Sequence, residues 1–83
     1  EVNRALAEAV ARGAGPSDAD VQALVARHYR WVSHFWTPNR ESYIGLGQGY
    51  TEHPDFRKFY DRYHPKLVDF LAAAMKVYAE REL

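Results

Sequence analysis

Apolar residues recur every three or four positions along most of the chain, a spacing that places them on one face of an α-helix. The first such stretch is short, and its apolar residues are Val2, Leu6, Ala9 and Val10. Gly13, Gly15 and Pro16 follow and end it. No segment of useful length alternates apolar and polar residues, so no β-sheet is predicted. The pattern therefore predicts an all-α fold.

The second stretch predicts a long helix in the middle of the fold. Ser17 is its predicted N-cap, and the apolar pattern continues to about Trp36. The apolar arc of this helix is wide, which favours a central position. Thr37 and Pro38 are typical of a capping hydroxyl and a proline at the first position of a third helix. Glu41 is placed to reach back towards that cap.

Glycines interrupt the third segment, which contains Gly45 and ends near Tyr50. Each glycine inside a helix costs about 1 kcal/mol relative to alanine, so the segment is either a strained helix or a loop. In one interpretation, small residues let two helices approach closely, or the helix breaks there. In a second, functional interpretation, the glycines open the backbone beside a bound ligand. His53 and His64 each precede a proline and predict the starts of a fourth and a fifth helix.

Composition and charge narrow the classes of function. The 83 residues fit one domain, and eleven basic residues balance eleven acidic ones, so no basic surface for nucleic acid or anionic membrane is indicated. The absence of cysteine excludes disulfides, thiolate nucleophiles and zinc–cysteine sites from these residues and fits a cytoplasmic location. No apolar run approaches the length of a membrane span. Because the chain begins at Glu1 without a methionine, we expect it to be part of a longer protein.

Aromatic residues crowd the middle of the chain, among six Tyr, four Phe and two Trp in all. Any one of these rings, taken alone, is more typical of an ordinary core. Several tyrosines together favour the wall of a pocket with polar and apolar character, because buried phenol hydroxyls need hydrogen-bond partners.

The histidines and acidic residues predict neither a metal site nor a catalytic site. His28 and His34 lie on different sides of one helix, unlike a pair of metal ligands one turn apart. His28 falls among apolar residues, which indicates a hydrogen-bonded histidine of the core or of a pocket. Carboxylates are scattered over the polar faces, and the serines have no evident His–carboxylate partners. We therefore expect no enzyme, no metal and no cofactor.

Several motifs occur in a characteristic order between residues 17 and 80. An aromatic-rich helix with a Trp precedes a tyrosine and the pattern L-G-x-x-Y. A phenylalanine follows a His-Pro turn, and then come a Tyr-Asp pair, a proline before the last helix and an alanine-rich end. The residues that carry the motifs after this aromatic-rich helix are Tyr43, Leu46, Gly47, Tyr50, Phe56, Tyr60, Asp61, Pro65, Ala72 to Ala74 and Tyr78. In this order and spacing, the chain resembles the TipAS-type antibiotic-recognition domain of MerR-family transcription regulators.

The resemblance implies a compact, globin-like bundle of about five helices with an open cleft for bulky, largely apolar drugs or peptide antibiotics. It also implies a cytoplasmic, homodimeric parent protein that binds DNA through an N-terminal domain outside this chain and activates transcription when the ligand binds. Some members of the family trap thiopeptides covalently through a cysteine in the segment where this chain has Gly45. Binding here is therefore expected to be non-covalent.

The whole chain, residues 1–83, is thus expected to be a single effector-binding domain. The predicted ligand-binding residues are Trp36, Tyr43, Leu46, Tyr50, Phe56 and Tyr60, with His28 and Tyr29 as polar contacts. An alternative hypothesis is a helical protein–protein interaction domain with an aromatic groove for a peptide. A third, a haem-binding or enzymatic globin-like domain, is disfavoured by the short chain and by the lack of a second well-placed histidine.

Overall fold

The computed structural model describes residues 2–83, and these residues form α-helices and no β-strand. The helices are α1 (Val2–Ala11), α2 (Ala19–Val32), α3 (Arg40–Glu52), α4 (Pro54–Asp61) and α5 (Leu67–Glu82). The prediction of an all-α fold with about five helices is confirmed. Within the described part of the chain, no helix combines the length and the apolar character needed to cross a membrane.

The last helix organises the core. α5 packs against each of the four other helices, and its contact with α3 is the most extensive in the molecule. Leu67, Leu71 and Met75 of α5 are fully buried there. The sequence predicted that α2 would be the central helix because its apolar arc is wide. That prediction was wrong because part of the arc, including Trp31, remains exposed.

The second helix is shorter than predicted. It begins after Asp18 rather than after Ser17, and it ends at Val32 instead of continuing to Trp36. The chain turns back at this end, where the Tyr29 hydroxyl donates a hydrogen bond of 2.7 Å to the carbonyl of Pro38. This contact holds the connecting segment against α2, and residues 33–35 form a turn instead of a further stretch of helix.

The third helix begins at a different cap from the one predicted. The Asn39 side chain accepts a hydrogen bond from the Ser42 amide at 2.9 Å, and the Ser42 hydroxyl accepts one from the Asn39 amide at 2.8 Å. This reciprocal capping box satisfies two backbone donors that would otherwise lack partners. The predicted cap at Thr37, with Pro38 as the first helical residue, was therefore wrong.

The glycine-rich segment is helical throughout, so the loop interpretation was wrong. Gly47 is buried where α3 meets α5, and a Cβ atom at this position would lie only 3.2 Å from the Ala72 Cα. The interpretation that a small residue allows two helices to approach closely is confirmed at this position.

The two His-Pro pairs behave differently. Pro54 is the first residue of α4, and the His53 ring accepts a hydrogen bond from the backbone amide of Asp55, as expected for a capped start. At the second pair, α5 begins only at Leu67, and the His64 ring accepts a hydrogen bond from the Lys66 amide within the preceding turn. Both predicted helix starts are therefore present, the second a little later than predicted.

Candidate ligand-binding site

An open cavity of about 750 Å³ lies between α1, α2, α3 and α4. A volume of this size falls within the range of small-molecule binding sites, roughly 300–1,000 Å³. The residues that line it are Val2 and Asn3 of α1, Arg27, His28 and Trp31 of α2, Tyr50 of α3, and Asp55, Phe56, Phe59 and Tyr60 of α4.

Helical spacing explains why these side chains converge. His28 and Trp31 are three residues apart on α2, and Phe56 and Tyr60 are four residues apart on α4, so each pair shares one face of its helix. Tyr50 lies near the C-terminal end of α3, close to where α4 begins. The cavity wall is therefore built mainly from one face each of α2 and α4, with Tyr50 between them.

The wall is aromatic and partly exposed. The ring centroids of Tyr50 and Phe56 are 5.1 Å apart, and those of Tyr50 and Tyr60 are 5.5 Å apart. Trp31 keeps 60% of its surface exposed, Phe56 44% and Phe59 41%. Apolar ring surface that remains in water next to a core is surface whose burial by a ligand is favourable.

His28 forms the inner polar part of the wall. It is 7% exposed, and its Nδ1 lies 2.7 Å from the hydroxyl oxygen of the fully buried Tyr43. Its Nε2 lies 3.5 Å from the Tyr50 hydroxyl oxygen, at the limit of a hydrogen bond. Burial disfavours the charged imidazolium and lowers the pKa of His28 from 6.5 to about 4. The ring is therefore neutral at physiological pH.

The phenols around His28 also stay uncharged. Burial raises the pKa of Tyr43, of Tyr50 and of Tyr60 above the ordinary value of 10.0. Among residues 2–83, the charged side chains of the cavity wall are Arg27 and Asp55, and both are exposed. The inner wall therefore combines apolar rings with neutral hydrogen-bonding groups, and the charges are restricted to the solvent side.

Comparison with known protein families decides the classification. The model of the TipAS antibiotic-recognition domain matches residues 1–78. The chain belongs to the TipAS family. It is also similar to the HTH-type transcriptional regulator SkgA from two strains of Caulobacter vibrioides, with 33% identity over 76 residues. That alignment covers 89% of this chain and 30% of the regulator, so the chain spans about 30% of the length of these curated relatives. No solved structure gives a significant match.

The TipAS domain brings four of the predicted site residues to the cavity: His28, Tyr50, Phe56 and Tyr60. The other four lie elsewhere. Tyr43 is buried in the core behind His28, and Leu46 packs against that core. The ring of Tyr29 packs against Tyr43 at 5.0 Å, and Trp36 is exposed beyond the end of α2. Contact of any of the eight residues with a ligand remains a prediction.

The cavity of the TipAS domain also contains residues that the sequence did not single out for it. Trp31 and Phe59 carry a usable signal, because they lie three residues after His28 and Phe56 respectively. Arg27 and Asp55 have no such signal, since charged residues beside an apolar face are ordinary. The contribution of α1 through Val2 cannot be found from local spacing, because it depends on how α1 docks.

Metal binding has no structural support. Among residues 2–83 of the TipAS domain, no three side chains of the His, Cys, Asp and Glu types are grouped so that they could hold a metal ion. The polar groups of the cavity are hydrogen-bonding groups, and they suit an organic ligand.

Proposed function

We propose that this TipAS domain is the effector-binding domain of a transcription regulator, and that it binds bulky, largely apolar drugs or peptide antibiotics in the cavity between α1, α2, α3 and α4. The observation that carries the proposal is the cavity of about 750 Å³ with exposed aromatic rings on its wall. Because the chain contains no thiol, binding is non-covalent. A ligand that covers apolar wall surface gains about 25 cal/mol per Å² buried.

The wider context of the domain is part of the same proposal. The similarity to an HTH-type regulator of greater length supports a parent protein with a separate DNA-binding domain. The balance of eleven basic and eleven acidic residues agrees with DNA contacts made elsewhere. We propose that the parent protein is a cytoplasmic homodimer and that ligand binding activates transcription.

The first helix offers a route for this coupling. Val2 and Asn3 of α1 line the cavity, so a bound ligand contacts the start of the helix as well as α2 and α4. A ligand that bridges these elements stabilises the docked position of α1. We expect slower amide hydrogen exchange in residues 2–11 when the domain is saturated with a bound drug. Unchanged exchange in α1, together with demonstrated binding, would refute the coupling.

The two tryptophans allow a direct test of the binding site. Trp31 lines the cavity, whereas Trp36 lies outside it. We expect antibiotics that raise the melting temperature of the domain to change the fluorescence of the Trp36→Phe variant, in which Trp31 is the remaining tryptophan. The Trp31→Phe variant should respond much less.

A matched pair of phenylalanine variants completes the test. Phe56→Ala removes a ring from the cavity wall, and Phe35→Ala removes a ring that is 74% exposed and lies outside the cavity. Weaker binding only in Phe56→Ala supports the cavity as the binding site. Equal effects of the two substitutions, or a failure of every drug in a broad panel to bind, would refute it.

A second candidate function is a helical protein–protein interaction domain. It is favoured by Trp31, Phe35 and Trp36, which are all exposed at the C-terminal end of α2 and just beyond it. In this case a peptide should bind while small molecules give no response, and Phe35→Ala should weaken peptide binding more than Phe56→Ala does.

A further inference from the structure

The aromatic wall of the cavity continues past the cavity through Trp31. Trp31 lines the cavity and is 60% exposed, and its ring centroid lies 5.3 Å from that of Phe35 in a T-shaped contact. Phe35 follows the end of α2, lies outside the cavity and is 74% exposed. The distance and the orientation are those of a direct aromatic contact. The apolar surface of the cavity and that of Phe35 are therefore continuous.

The rings of this surface become more exposed from the inner wall of the cavity outwards. At the inner wall, Tyr50 and His28 are each 7% exposed, and their ring centroids are 6.1 Å apart. The Trp31 ring lies 6.4 Å from the His28 ring. Each of these steps falls within the spacing of neighbouring rings, about 4.5–7 Å. A path of adjacent rings thus leads from Tyr50 inside the cavity to Phe35 at the surface.

The position of Phe35 is fixed by the turn that ends α2. The Phe35 amide donates a hydrogen bond of 2.9 Å to the carbonyl of Val32, and the Trp36 amide donates one of 3.2 Å to the same carbonyl. The segment that follows is held against α2 by the hydrogen bond from the Tyr29 hydroxyl to the Pro38 carbonyl. The backbone therefore keeps the Phe35 ring in water beside Trp31, and adjoining exposed apolar rings are typical of a binding surface.

Building on the proposed function, we infer that the effector is an elongated molecule with two aromatic or apolar groups, one inside the cavity and one in an outer subsite formed by Trp31 and Phe35. Because Trp31 belongs to both places, a group bound beside it in the cavity borders the outer subsite directly. A compact drug that fits within the cavity does not reach Phe35, so Phe35→Ala remains the control for such drugs.

The test compares one dye with its covalent dimer. Anilinonaphthalene sulfonate fluoresces when it binds an apolar pocket, and bis-anilinonaphthalene sulfonate joins two copies of it, so the two probes share their chemical groups and differ in length. Arg27 lines the cavity one turn before Trp31 and is exposed, which suits the sulfonate groups. Dissociation constants are measured by fluorescence and calorimetry for the wild-type chain, Phe56→Ala, Phe35→Ala and His34→Ala. His34 is the exposed neighbour of Phe35, so its variant is the matched control.

We expect Phe56→Ala to weaken the binding of both dyes. The ratio of the dissociation constant of the single dye to that of the dimer should fall about fivefold in Phe35→Ala, the size of one lost aromatic contact, and stay unchanged in His34→Ala. Comparing ratios cancels any general loss of stability.

The outcomes separate the inference from the proposed function. If Phe56→Ala weakens both dyes and Phe35→Ala leaves the ratio unaltered, the outer subsite is overturned and the cavity remains the binding site. If neither dye binds, or if Phe56→Ala affects neither dye, the proposed use of the cavity and the inference that rests on it are contradicted together. Weaker binding in Phe35→Ala alone would then favour the second candidate function.

Discussion

Gly47 occupies the point of closest approach between α3 and α5, and we expect Gly47→Ala to destabilise the domain although alanine is the better helix former. A Cβ atom on Gly47 would lie 3.2 Å from the Ala72 Cα and 3.3 Å from the Met75 Sδ. The comparison positions are Gly45 and Gly49, which belong to the same helix and have open space where a Cβ would be added.

The magnitudes follow from two opposing contributions. Replacing glycine by alanine inside a helix stabilises it by about 0.5–1 kcal/mol, and this gain applies to all three positions. At Gly47 the added methyl group pushes against the backbone of α5, which cannot move aside as a flexible side chain can, and such overpacking costs about 1–3 kcal/mol. We therefore expect Gly45→Ala to be stabilising and Gly47→Ala to be less stable than Gly45→Ala by about 1–3 kcal/mol.

Urea denaturation followed by circular dichroism at a helix wavelength measures these free energies of unfolding. For a domain of 60–100 residues, a change of 1 kcal/mol also moves the melting temperature by about 4–8 °C, so thermal unfolding gives an independent check. Gly49→Ala serves as a second open-space control. If Gly47→Ala were as stable as Gly45→Ala, the close packing of α3 on α5 at Ala72 would be refuted.

Three further predictions concern buried hydrogen bonds and caps. The pKa of His28 is lowered from 6.5 to about 4, so as the pH falls the unfolded chain binds a proton at this histidine before the folded chain does. The free energy of unfolding should therefore be full above pH 6.5 and decrease below it, by about 2 kcal/mol at pH 5. Urea denaturation at pH 8 and pH 5 measures this loss, and an equal loss in His28→Gln would contradict the assignment. Tyr43→Phe leaves His28 Nδ1 without its hydrogen-bond partner and should lower the free energy of unfolding by about 1–3 kcal/mol, again measured with urea, whereas Tyr78→Phe should change it less. Asn39→Ala should lower the melting temperature through a loss of about 1 kcal/mol, and Thr37→Ala should have almost no effect; the reverse order would favour the cap predicted from the sequence.

The start of a helix could be predicted from the sequence where all local signals agree. At His53 and Pro54 the proline, the preceding cap and the apolar face agree, and the structure follows them. Near Thr37 the sequence analysis predicted a cap from Thr37 and Glu41, which are four positions apart, whereas the cap that forms pairs Asn39 with Ser42 at the three-residue spacing of a capping box. The Tyr29 hydroxyl of α2 also bonds to the Pro38 carbonyl just before this cap, a tertiary contact that helix-start signals do not contain.

The candidate site could be predicted only in part, for a similar reason. Aromatic content indicated a pocket, and helical spacing placed Phe56 and Tyr60 on one face of α4. Periodicity does not tell which neighbour covers a face, so Tyr43 was expected in the pocket wall but lies in the core. Trp31 was expected among the core-facing residues but lies at the cavity. The burial of a ring depends on which neighbouring helix packs over it, and single-helix patterns do not contain that information.

Because α1 contributes to the cavity wall, the proposed ligand binding would depend on how firmly α1 is docked. Val2 and Asn3 complete the wall only while α1 is packed against α2 and α5. If α1 were docked for a fraction f of the time, the apparent dissociation constant would rise by the factor 1/f. By reciprocity, whatever restrains α1 from outside the domain tightens binding by the same factor by which the bound molecule tightens α1. Under the proposed function, the affinity of this site therefore depends both on the rings of its wall and on any restraint that acts on α1.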